Sequence, residues 1–114
     1  MRLDPANIPT FRAAAIIYHQ ARRNQDMLRV TIRATELGDA ISMYDFIAYY
    51  RDGYGVEPNS AHAFMWAERA ANTGHLKALS YMIRVHLEGL LDQPVDEPEA
   101  TAWAQRERAA RRAE

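Results

Sequence analysis

The sequence predicts an all-α protein of about three stacked helical hairpins, six helices in total. Three observations carry that prediction. Apolar residues recur at helical spacing, as in Met43, Phe46, Ile47 and Tyr50. Glycines fall where helices should stop, at Gly38, Gly53, Gly74 and Gly89. These landmarks also repeat. Gly38 recurs as Gly74 and Gly53 as Gly89, 36 positions on, and the same offset takes the apolar quartet to Leu79, Met82, Ile83 and His86. Across the next loop the offset becomes 37, taking Ala63 to Ala100 and Trp66 to Trp103, so the later loop is one residue longer. Matches in order at nearly one period mark stacked supersecondary units, each too small to bury its apolar face alone.

The elements follow in order. Met1 to Pro9 is expected to be an extended lead-in, because Pro5 and Pro9 disfavour helix in the residue before them. Thr10 then caps a first helix running to about Arg23, with Ala13, Ile16, Ile17 and Gln20 on one face. Asn24 to Asp26 offers a turn and a fresh cap for a second helix, which Gly38 ends. A third helix spans about Asp39 to Arg51, after which Gly53 and Gly55 let the backbone turn sharply. Pro58-Asn59-Ser60 restarts the chain as a fourth helix, ended by Gly74, and a fifth runs from about His75 to Glu88. Asp96 and Glu99 make a capping-box-like start to the sixth, with Pro98 tolerated in its first turn. Beyond Trp103 this helix turns polar, as the outer face of a last repeat must.

Composition sets the broad class. With 114 residues, 48% hydrophobic and 25% charged, the chain is expected to be one soluble globular domain. It has no cysteine, so disulfides, thiol nucleophiles and thiolate metal sites are all excluded. The longest apolar run, Ala13 to Tyr18, is too short to span a bilayer. Asp4, Pro5 and Pro9 stand where a signal peptide would be apolar, which predicts a cytoplasmic protein. Net charge is −1, with basic ends and an acidic middle. That middle repels phosphate and argues against nucleic-acid binding.

Residues 38–73 carry a more specific pattern: Gly38 and Ala40, an aromatic-rich first helix, Gly53-Tyr54-Gly55-Val56, then Ala63, Trp66, Ala70-Ala71 and Gly74-His75 just beyond. They resemble the Sel-one-like repeat, a helical-hairpin family related to tetratricopeptide repeats. Residues 38–73 match as a complete repeat. Residues 74–114 match as a second repeat with a polar terminal helix, departing where Leu91 replaces a loop glycine and Glu107-Arg108 the paired alanines. Residues 1–37 fit as a degenerate leading hairpin with a shortened loop. The resemblance implies that residues 1–114 form a short right-handed α-solenoid. It also implies protein-binding roles in bacterial signalling, envelope or secretion assemblies and host–microbe contacts.

Chemistry-bearing patterns are missing. There is no HExxH, P-loop or GxSxG, and no two histidines stand at i, i+3 or i, i+4 to offer a metal a ready pair of ligands. No cofactor, metal or catalytic residue is therefore expected. Aromatic density is the remaining feature: Tyr44, Tyr49, Tyr50 and Tyr54 bracket Arg51, and tyrosine and arginine are frequent interface anchors. In related repeats the first helix of each hairpin lines the concave surface. Transferred here, that face carries Ile41, Tyr44, Ala48, Arg51 and Asp52, then Lys77, Ser80, Arg84, Leu87 and Glu88. This mixed surface suits a peptide or helix better than a small molecule. The expectation is a non-enzymatic adaptor or scaffold, with self-association through the exposed ends also open. One alternative is a dedicated immunity protein or chaperone that occludes one toxic or secreted protein. Another is a small-ligand or catalytic protein using His86 and Glu88.

Overall fold

A computed structural model describes residues 4–113; the expected lead-in over residues 1–3 lies outside them. The described residues form α1 (Ile8–Gln20), α2 (Asn24–Glu36), α3 (Ala40–Asp52), α4 (Ser60–Asn72), α5 (Leu76–Glu88) and α6 (Glu97–Arg112), with no strand among them. Short connections fold each consecutive pair back on itself, so α1–α2, α3–α4 and α5–α6 are hairpins. The α4–α5 seam joins hairpins two and three, and a lighter α2–α3 seam joins the first hairpin to the rest. The stack is a slab of 42 × 33 × 19 Å, two helix diameters thick.

The hairpin loops show why the glycine spacing was informative. Gly53 and Gly89 close α3 and α5 in the left-handed conformation, at φ 83° and 71°, which side chains resist and glycine accepts. After each, the chain makes the same bonds. Tyr54 N donates to Tyr49 O and Leu90 N to Val85 O, both at 3.0 Å; Asn59 N donates to Tyr50 O and Asp96 N to His86 O, both at 2.7 Å. Asn59 and Asp96 then cap α4 and α6, accepting from His62 N and Glu99 N. Leu91 takes φ 54° in the second loop and offsets the strain by burying its side chain in the core.

Two expectations fail at the N-terminus, for one reason each. Asp4 caps a single 3-10 turn, Pro5–Asn7, and α1 begins at Ile8, ahead of Thr10. Pro5 and Pro9 both occupy first-turn positions, where the missing N–H has no intrahelical partner anyway, so they start helical turns rather than prolonging an extended lead-in. The second correction concerns the face of α1. Its large ring, Phe11, sets the buried side and packs with Ala14, Ala15 and Tyr18 onto Val30 and Ala34 of α2. Ala13, Ile17 and Gln20 point to solvent, with Ile17 at 62% exposure.

The principal core lies in hairpins two and three. Trp66, 7% exposed, stacks on Phe46 with ring centroids 4.7 Å apart, and Arg69 covers its outer face at 4.9 Å. Trp103 is likewise buried, 6% exposed under Arg106 at 4.3 Å. Buried Ala63, Ala67, Ala70 and Ala71 give the facing helices room to approach closely. The first hairpin carries its own small cluster around Phe11, separate from this core.

Candidate functional site

The first helices of the hairpins, α1, α3 and α5, build a face on which clefts converge at Tyr44. One is a cleft of about 450 Å³ between α1 and α3. Phe11, Ala15 and Ile16 line it from α1; Ile41, Tyr44 and Ala48 line it from α3; Tyr49 and Tyr54 complete the wall. Ile16 is 59% and Ile41 43% exposed, large aliphatics left facing water on opposite sides of one groove. Beyond Tyr44, whose ring lies 5.4 Å from that of His75, shallower clefts continue to Lys77, Ser80, Tyr81 and Arg84 on α5.

One buried carboxylate fixes the geometry of this groove. Asp39, just before α3, accepts from Arg12 Nε at 2.9 Å with a second bond from Nη2, and from Ser42 Oγ at 2.6 Å and Ser42 N at 3.2 Å. It therefore caps α3 and clamps α1 to it in the same arrangement. Burial pushes its carboxyl upward, but the bonds from Arg12 and Ser42 outweigh that and hold it below the ordinary range. A second tie joins the hairpins at the other end of the cleft. Gly55 lies so close to α2 that a Cβ there would come within 2.9 Å of Asn24 Cβ and Leu28 Cδ1, and Gln25 Nε2 donates to Gly55 O at 2.7 Å. His19 meets Tyr54 edge-on at 5.7 Å.

Asp45 is the opposite case. It lines the same cleft as an exposed residue and makes no ion pair within 4.0 Å among the described residues. Partial burial, reinforced by the charge of Asp39 and only partly relieved by Arg12 and Lys77, raises its carboxyl from the ordinary 3.8 to about 6. A carboxyl raised on folding stabilises the fold while protonated and loses that contribution as pH rises from about 4 through 6. Asp45→Asn should therefore gain about 1 kcal/mol over the parent at pH 7, after allowance for its open side, and much less near pH 3.5. Urea titrations at the two pH values would measure the difference; an equal effect at both would show that Asp45 ionises without hindrance.

The structure distributes the sequence-expected residues unevenly. Ile41, Tyr44, Ala48, Lys77, Ser80 and Arg84 line the converging clefts, and Arg51 lines their edge beside Tyr81. Asp52 pairs with Arg51 at 3.0 Å and Glu88 with Arg84 at 2.7 Å, both on the open surface, while Leu87 is exposed outside the clefts. Ser80 is bound to Glu107 of α6. The whole α1 wall escaped the sequence argument, as did Asp45, although Ile41, Asp45 and Ala48 stand at i, i+4 and i+7 on one helix face.

His86 and Glu88 do not meet. His86 is buried, edge-on to Phe64 at 6.0 Å, with Nδ1 lacking a hydrogen-bond partner among the described residues, and it lines none of the clefts around Tyr44; Glu88 is exposed and held by Arg84. One group thus lies inside the core beside a ring and the other at the surface. Among the described residues no cluster of three His, Asp or Glu gathers as metal ligands, and no helix is long and apolar enough to cross a membrane. Comparison with protein-family models, curated proteins and solved structures gives no significant match for this chain.

Proposed function

We propose that the chain is a protein-interaction module that holds a segment of another protein on the face formed by α1, α3 and α5. One observation carries this reading: the clefts on that face converge on Tyr44 and are flanked by Ile16 and Ile41, which no part of the described chain covers. A groove with aliphatic rims and an aromatic centre fits an amphipathic segment, whose anchors would be spaced at i, i+3 or i+4. The resemblance of residues 38–73 to Sel-one-like repeats supports the same reading and suggests an adaptor role. A cytoplasmic setting is taken from the sequence alone.

The test is a pull-down with the parent chain and two variants, Ile41→Asp/Tyr44→Ala in the groove and Ile17→Asp on the outer face of α1. A partner retained by the parent and the outer-face variant, but lost from the groove variant, is the expected result. Equal recovery by all three baits would move the binding surface elsewhere. Circular dichroism would establish beforehand that each variant keeps its helix content.

A further inference from the structure

Building on that proposed function, we infer that the α1–α3 cleft takes one arginine side chain of an otherwise apolar partner segment, with Asp45 as its counter-ion.

Most acids near this face are already engaged. Asp39 is held by Arg12 and Ser42, Asp52 by Arg51, Glu88 by Arg84, and Glu107 by Ser80 and Arg111. Among the described residues Asp45 has no such partner. Within the cleft, Arg12 is paired with Asp39, which leaves the carboxylate of Asp45 without a cation in contact among the described residues. Lys77 shares a neighbouring cleft with Asp45 and eases its charge without forming an ion pair with it. A partner cation therefore gains a direct ion pair where Arg12 and Lys77 act on Asp45 only without contact.

The walls refine the identity of that cation. Tyr44, Tyr49 and Tyr54 border the cleft, and a ring face beside a carboxylate is a setting that attracts a planar guanidinium. Arginine is more weakly hydrated than lysine and presents parallel donors to a carboxylate, so it loses less on entering the groove. Ile16 and Ile41 then require aliphatic neighbours on the same segment, which separates this ligand from a freely soluble cation.

The probe is a short capped helical peptide of alanine, glutamine and leucine, with one central position set to Arg, Lys, Gln or Glu. It is titrated into the isotopically labelled full chain and followed by NMR. The Arg peptide should bind about tenfold more tightly than the Gln peptide. Lys should fall between them and Glu should bind weakest, with shifts centred on Ile16, Ile41 and Asp45. In Asp45→Asn the Arg-over-Gln preference should vanish while Gln binding stays unchanged. Equal binding of Arg and Gln peptides to this face would overturn the arginine inference and leave the groove reading standing. Shifts elsewhere, or none with any peptide, would overturn both. Capped arginine alone binding as tightly as the peptide would replace the protein segment by a small cation and also overturn the inference.

Discussion

Trp66→Ala should destabilise the protein by about 3–5 kcal/mol, the usual cost of truncating a core tryptophan. Trp66 merits the upper part of that range because its surroundings cannot collapse onto the space it leaves. Ala63, Ala67 and Ala70 are already as small as side chains become, and Phe46 is fixed by contacts with Tyr49 and Tyr50 as well as with Trp66. Arg69 would lose the ring it covers. For a chain this short the change corresponds to a fall in melting temperature on the order of 10–20 °C. Thermal and urea unfolding measure it. A variant that melted with the parent would mean that hairpins two and three do not depend on this ring for their packing.

Asp39→Ala should cost about 2–3 kcal/mol at pH 7, since it removes the cap of α3 and the anion that fastens α1. The penalty falls short of that for a fully buried ion pair because Arg12 is partly exposed and can regain water. Its pH dependence is set by the lowered carboxyl of Asp39. The stabilisation is present above the unfolded carboxyl's ordinary value and is lost as pH falls through the lower folded one. The gap between parent and variant should therefore be largest near neutrality and narrow below pH 4, with a sign opposite to that of Asp45→Asn. Arg12→Ala separates the two functions of Asp39, because it keeps the α3 cap and should cost less. If Arg12→Ala and Asp39→Ala proved equally severe, the clamp rather than the cap would account for the loss.

The architecture of hairpins two and three was legible in the sequence because its constraints are local. Gly53 and Gly89 must be glycine to close a helix in the left-handed region, and Asn59 and Asp96 must carry a side-chain acceptor to start the next. Trp66 and Trp103 mark the core at the same register. The first hairpin offered no such punctuation. Its turn uses Arg22 at φ 58° where a glycine would have signalled it, and the run Ala13 to Ile17 is apolar on every side. Periodicity cannot choose a face in such a run; the position of Phe11 chooses it, through contact with Val30 and Ala34. Half of the candidate site was hidden for the same reason. Tyr44 and Ile41 stood out by type, whereas Asp45 acquires its character only when α1 folds over it and Arg12 pairs with neighbouring Asp39 instead of with Asp45.

Because the leading hairpin has its own small nucleus and meets the remainder along a lighter seam, the groove at that seam is a joint as well as a receptacle. Whatever settles into it stitches two semi-independent pieces together. Occupancy should thus be felt as tightening of α1, with slower amide exchange along Phe11 to Tyr18 even where the guest never touches the backbone.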